Sequence, residues 1–191
     1  MKKRYPCCRE VIFFFLLLVL AVSSDSRAAA PAEVYFSPQG GAQAALEKLL
    51  DNARNEVCAA VYFFTSRPLA AAVLRAHKRG VHVQLIIDGN DESDFSKGYY
   101  LRQRGIEVRY ARGLPQRSEK SEKGKYRIKK FGLMHNKFMV VDDKFVATGS
   151  YNWTAAAEKW NCENLLVINS SSLARSYTGE FKKLWKRTFI K

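Results

Sequence analysis

Two rhythms of apolar residues run along this chain, one of strand period and one of helical period. Val34-Tyr35-Phe36 is a short β-rich run closed by Ser37-Pro38. The spacing of Ala45, Leu46, Leu49, Leu50 and Ala53 predicts an amphipathic helix over 42–53. Residues 56–64 and 81–87 are apolar strands, and 69–78 between them has helical spacing. Strand, helix, strand in that order predicts a parallel β-α-β unit, extended by a helix over 95–104 and a short strand over 106–109. The whole reads as an α/β fold, with a mixed, largely parallel central sheet flanked by helices. Further on, 138–141 and 145–148 are apolar runs separated by Asp142-Asp143-Lys144, which predicts a hairpin. A short helix or turn over 153–160 and an apolar strand over 164–168 follow. The closing helix, over 170–187, carries Leu173, Tyr177, Phe181, Leu184 and Trp185 on one side.

A chain of 191 residues allows one domain of ordinary size. Its amino terminus does not read as part of that domain. Lys2, Lys3, Arg4 and Arg9 precede an uncharged apolar run over 11–22, followed by small and polar residues to Ala30. This is the layout of a secretory signal peptide over 1–30, with cleavage sites after Ala28 or Ala30. The run is shorter than the roughly 20 residues of a spanning helix, which disfavours a retained anchor. The expectation is an exported protein, periplasmic or secreted, with a single domain over 31–191.

Charge narrows the partners. The full chain carries 32 basic and 18 acidic residues, net +14, and residues 31–191 keep 27 against 16, net +11. A nucleic acid fits such a surface as substrate, and so does an anionic membrane if the leader is retained. The charge is concentrated in a basic loop over 110–132, the longest stretch without apolar periodicity. Arg112, Arg117, Lys120, Lys123, Lys125, Arg127, Lys129 and Lys130 lie there, just after Arg109, against Glu119 and Glu122. Read functionally, it is an electrostatic arm for backbone phosphates, with salt-sensitive binding; read plainly, it is a solvated insertion. Cys58 and Cys162 sit in apolar or strand-like contexts. Export permits a disulfide between them, but their contexts favour two buried thiols.

That loop leads into the stretch with the most chemistry. His135-Asn136-Lys137 opens the predicted hairpin, and Gly149-Ser150-Tyr151-Asn152 closes it. If the strand has begun by His135, then His135 and Lys137 share a side, and the returning strand brings Ser150 and Asn152 to the same end. An imidazole attacks phosphorus or moves a proton near neutral pH; an ammonium and an amide hold nonbridging oxygens. The other two histidines have plainer settings. His77 is placed to cap a helix end, and His82 sits at an exposed strand position. Asp88-Gly89-Asn90-Asp91 ends the third strand, where α/β proteins place ligands. Paired acids there raise the alternative of a magnesium site, which no further carboxylate cluster supports.

His135, Lys137, Asp142, Gly149, Ser150 and Asn152 match every fixed position of the phospholipase D superfamily signature, His-x-Lys-x4-Asp followed by Gly-Ser-x-Asn. The chain resembles that superfamily from about Val34 to Trp185, and within it the small single-motif endonucleases of the Nuc type and their mitochondrial cardiolipin hydrolase relatives. The resemblance implies phosphodiester hydrolysis without metal or cofactor, through a phosphohistidine on His135. Lys137 and Asn152 would bind phosphoryl oxygens, Ser150 would add a hydroxyl, and Glu163 would accept the ring N–H of His135. Asp142 and Gly149 read as structural. Asp142 lies about 13 Å or more along an extended strand from Lys137 and is placed to anchor the turn. Two proton-handling groups are needed across phosphorus and the chain has one His-x-Lys, so a homodimer is expected to supply the second His135. The substrate expectation is DNA, with RNA also open. A phospholipase D-type hydrolase of phospholipids such as cardiolipin and a catalytically idle nucleic-acid-binding protein are the alternatives.

Overall fold

The computed structural model describes residues 31–90, 96–120 and 126–189, with 117–120 and 126–129 described by their backbone alone. The leader over 1–30, Asp91, Lys123 and Lys125 fall outside the described residues. A seven-stranded sheet carries the fold. Its strands are β1 (Ala32–Ser37), β2 (Glu56–Val61), β3 (His82–Asp88), β4 (Glu107–Ala111), β7 (Lys137–Val141), β8 (Phe145–Gly149) and β9 (Glu163–Asn169), in the spatial order β1-β9-β8-β7-β2-β3-β4. Helices α1 (Ala42–Asn52), α2 (Arg67–Lys78), α3 (Lys97–Arg102) and α4 (Ala155–Lys159) lie on one face, and α5 (Ser171–Trp185) covers the other.

The expectation of a largely parallel sheet is overturned. Only β2–β3 and β3–β4 are parallel, whereas β1–β9, β9–β8, β8–β7 and β7–β2 are antiparallel. The β-α-β unit is real, but it supplies one side of the sheet. The other side comes from the successive strands β7, β8 and β9 and from two long-range pairings, β7 on β2 and β1 on β9. β7 docks on β2 from the side opposite β3, with Val61 facing Lys137, so the start of the hairpin meets the carboxyl end of the parallel strands.

Side-chain caps explain where α2, α3, α4 and α5 begin. The hydroxyls of Ser66, Ser96, Thr154 and Ser170 accept N–H groups of Leu69, Gly98, Ala157 and Leu173. Ser66, with Pro68 in the first turn, starts α2 at Arg67, two residues ahead of the apolar pattern. The core has two parts. Leu46, Leu50, Leu69, Val73, Leu85, Ile87, Leu101 and Trp153 pack under the first four helices, and Ile86, Phe138, Val140, Phe181 and Leu184 pack under α5. Burying each such side chain contributes about 1.5–3 kcal/mol.

The segment expected as a loop over 110–132 is a ribbon. β5 (Pro115–Lys120) and β6 (Tyr126–Phe131) pair antiparallel, with irregular register. Its many charged residues, with Gly113, Pro115 and Gly124 among them, hid the strand pattern, because the pairing is made by backbone. At its base, Gly113 N–H donates to the Gly132 carbonyl at 2.8 Å and Gly132 N–H to the Leu114 carbonyl at 2.9 Å.

Asp142 anchors the backbone of a segment distant in sequence. Its carboxylate accepts N–H groups of Arg54, Asn55 and Glu56 at 3.0, 2.7 and 3.0 Å, tying the hairpin to the entry of β2. Such charge-assisted bonds contribute about 1.5–3 kcal/mol each. Asp142 and Asp143 adopt φ of 52° and 49°, the left-handed turn conformation that short polar side chains tolerate.

Candidate active site

β2 ends at Val61, and the next residues, Tyr62 and Phe63, line the catalytic edge half-buried. His135 precedes β7 rather than lying in it and is exposed, while Met134 before it is 2% exposed and anchors the segment. Asp88, at the end of β3 and fully buried, accepts the Met134 N–H at 2.6 Å and the Asn90 N–H at 2.8 Å. A buried carboxylate thus fixes the backbone immediately before the imidazole.

His135 and Lys137 do meet. The Lys137 ammonium lies 3.2 Å from His135 Nδ1 and donates to the His135 carbonyl at 2.8 Å. The Tyr62 ring stands 4.5 Å from the imidazole, tilted by 52°, and 5.0 Å from Lys137 Nζ. Burial lowers the Lys137 pKa from the ordinary lysine value, and the Glu163 charge opposes that shift.

Across the edge, residues 150–153 are laced to the chain after β2. Asn152 Oδ1 accepts the Phe63 N–H at 3.3 Å. A backbone N–H only donates, so the amide oxygen faces Phe63 and the NH2 is turned away from it. Trp153 N–H donates to the Phe63 carbonyl at 3.0 Å, and its own carbonyl accepts from Thr65 and Ser66. Gly149 leaves room for a close approach rather than a turn: a Cβ there would overlap the Asn164 carbonyl, which accepts the N–H groups of Ser150 and Tyr151.

Ser150 and Glu163 are paired. Ser150 Oγ donates to Glu163 Oε2 at 2.5 Å and accepts the Asn164 N–H at 3.1 Å, and Asn161 Nδ2 donates to Glu163 Oε1 at 3.1 Å. Glu163 therefore holds Ser150 and Asn161, where the resemblance implied the ring N–H of His135. Patterning did not single out Tyr62, Phe63, Asn161 or the role of Asp88. The available signal was their place at strand ends on the edge where α/β folds hold ligands.

The basic residues scatter. Arg109 stacks on Trp185 at 4.3 Å, on the α5 side of β4. The Arg112 guanidinium lies 5.6 Å from the Phe131 ring and 5.3 Å from the Phe189 ring, at the ribbon's base, and Lys130 is exposed nearby. The side chains of Arg117, Lys120, Arg127 and Lys129, like all of Lys123 and Lys125, lie outside the described residues. His82 pairs with Glu107 at 2.9 Å at the amino ends of β3 and β4, away from the site. His77 offers only its carbonyl to the turn after α2, accepting the Gly80 N–H. Among the described residues no cluster of three or more histidine, cysteine or acidic side chains is arranged to hold a metal ion. A cleft of about 330 Å³ between α1 and the sheet is lined by Asp142 and by none of His135, Lys137, Ser150, Asn152 or Glu163.

Cys58 and Cys162 are not joined. Cys58 is buried, which pushes its thiol up to about 12, and Cys162 is exposed. A thiol reagent is expected to modify one cysteine of residues 31–191 in the folded protein and two after denaturation, with Cys58 the late one; equal rates at both would show the burial to be wrong.

Residues 46–185 match the family described as cardiolipin synthase, PLD-like domain. The chain belongs to this family, and so to the phospholipase D superfamily of hydrolases. Among its relatives, a phospholipase D of Rickettsia bellii is 35% identical over 143 residues, covering 74% of this chain and 63% of that protein. A mitochondrial cardiolipin hydrolase of Xenopus tropicalis is 37% identical over 133 residues, covering 69% and 54%. The chain thus spans less than two-thirds of the length of each. The crystal structure of the phospholipase D family member Nuc from Salmonella typhimurium superposes with a TM-score of 0.71 at 29% identity, covering 83% of this chain and 96% of that one.

Proposed function

We propose that the protein is a phosphodiesterase that cleaves DNA, and RNA as well, through a phosphohistidine intermediate. The observation that supports this reading is that His135 and Lys137 meet against Tyr62, next to Phe63 whose N–H Asn152 accepts, with Glu163 of the Ser150–Glu163 pair near enough for its charge to act on Lys137. Nε2 of one His135 attacks phosphorus and forms an N–P bond as the P–O bond to the leaving group breaks. A second His135 protonates the departing oxygen, then activates the water that cleaves the N–P bond. Lys137 and Asn152 hold the nonbridging oxygens, where negative charge grows.

The second imidazole comes from a second copy of the chain. Val34, Phe36 and Leu166 form an apolar strip on the part of the sheet face that α5 leaves uncovered, 55%, 61% and 36% exposed. Phe36 pairs in register with Asn164, whose carbonyl accepts from Ser150, so the strip adjoins the site. An uncovered apolar patch there supports a symmetric contact that brings two sites together.

The +11 charge of residues 31–191 and the basic ribbon favour a nucleic acid as substrate and predict binding that weakens steeply with salt. The signal-like leader supports export. No helix among the described residues is long and apolar enough to cross a membrane. Phospholipid hydrolysis is the second reading, favoured by the 37% identity to a cardiolipin hydrolase. Purified protein is expected to nick supercoiled plasmid and to hydrolyse bis(p-nitrophenyl) phosphate in excess EDTA while leaving cardiolipin vesicles intact. Release of phosphatidic acid without nicking would transfer the assignment to lipid, and an EDTA-sensitive activity restored by magnesium would overturn the metal-free chemistry.

A further inference from the structure

The waist of the ribbon carries apolar side chains that face water. Leu114 is 71% exposed and Leu133 47%, and Phe131 and Phe189 are exposed as well. Backbone pairing gathers them. Gly113 N–H donates to the Gly132 carbonyl, Gly132 N–H donates to the Leu114 carbonyl, and Phe131 stands opposite Pro115. The Arg112 guanidinium lies 5.6 Å from the Phe131 ring and 5.3 Å from the Phe189 ring, so two aromatics and a cation share one patch. Single exposed leucines are ordinary on a protein surface, whereas a contiguous apolar patch marks a contact.

Charge identifies what the patch meets. Residues 112–133 carry eight basic and two acidic side chains, and Lys130, beside Phe131, is exposed. A nucleic acid would neutralise these cations but leave Leu114 and Leu133 in water, because an aliphatic side chain offers no flat ring for a base to stack on. An anionic bilayer satisfies both kinds of group, with cations at the headgroup phosphates and apolar side chains at the acyl boundary.

We propose that the ribbon's waist docks the protein on the surface of an anionic lipid bilayer. Leu114, Phe131 and Leu133 enter the headgroup boundary, and Arg112 and Lys130 hold lipid phosphates beside them. Docking needs neither the leader nor lipid cleavage, and it is independent of which phosphodiester the site hydrolyses. Leu133 is followed by the buried Met134 and then by His135, so the catalytic edge of the docked protein lies close to the bilayer.

The test is flotation of the full chain with vesicles of phosphatidylcholine alone and of phosphatidylcholine mixed equally with phosphatidic acid. Phosphatidic acid is a monoester, which a phosphodiesterase leaves intact, so docking is read apart from turnover. Binding is expected to the mixed vesicles only. The double substitution Leu114→Ser and Leu133→Ser should weaken it by at least about tenfold, and Lys130→Gln by about fivefold at low salt. Leu133→Trp keeps an apolar side chain, so it reports on the patch independently of how the serine variant folds. Its added fluorescence should shift to the blue on the mixed vesicles. Equal binding to both kinds of vesicle would overturn the proposal, since the leader's apolar run would then account for it. An unshifted tryptophan on vesicle-bound protein would overturn it too. Loss of oligonucleotide binding in the serine variant with vesicle binding unchanged would assign the patch to nucleic acid instead, and a change from dimer to monomer in sedimentation would assign it to a second copy of the chain.

Discussion

His135→Ala is expected to lower turnover of plasmid DNA and of bis(p-nitrophenyl) phosphate by at least about 10⁴-fold, the upper range for removing one acid–base group, since the nucleophile goes with it. The fold should not change: His135 is exposed, lies outside the strands, and its anchoring neighbour is Met134. Circular dichroism and sedimentation should match those of the unmodified protein. Sharing of the site gives a sharper result. If both imidazoles serve one phosphate, a mixed pair of wild-type and His135→Ala subunits is inactive. Excess variant, allowed to exchange subunits, should then depress wild-type activity towards zero, well below simple dilution. Retention of the diluted wild-type rate after proven exchange would mean that each subunit works alone.

Asp88→Ala is expected to have the second-largest effect, on both stability and rate. The side chain is fully buried, and its two oxygens accept the N–H groups of Asn90 and Met134. Truncation leaves two backbone donors without their acceptor, at about 1–3 kcal/mol each, so urea unfolding should report a loss of about 2–5 kcal/mol. The released Met134 carries His135 with it. Small misplacements of a reacting group cost about 10²-fold, and the loss should fall on kcat more than on KM because Asp88 does not touch substrate. Asp88→Asn should recover part of the stability, since one oxygen remains to accept. A variant destabilised as expected but with unchanged kcat would show that Asp88 supports the fold without aligning His135.

Most elements could be read from the residues because their signals were local. The rhythm of α1, the β2–α2–β3 succession and the hairpin turn at Asp142-Asp143 all lie within short windows. The direction of the sheet could not be read in this way. β7 pairs with β2, about 80 positions earlier, and only that long-range contact decides that the hairpin runs against the parallel unit. At the site, the grouping of His135 with Lys137 followed from their spacing. The partners of Glu163 did not, because Asn161 reaches forward two residues to a carboxylate whose other oxygen is taken by Ser150, at the end of the neighbouring strand. Asp88 was legible as a strand-end acid at the ligand edge, but its burial and its bond to Met134 are tertiary facts. The ribbon was hidden by its charged residues, because its pairing is made by backbone.

The ribbon's two-glycine base has a consequence for how the protein can change. β5 and β6 satisfy their backbone groups largely on each other, and they join the body through the crossing of Gly113 and Gly132, where a Cβ on Gly113 would strike the backbone of Gly132. The hairpin is therefore a cassette clipped to the catalytic edge at a narrow waist. Between 114 and 131 a change of length or composition is expected to leave the core packing as it is.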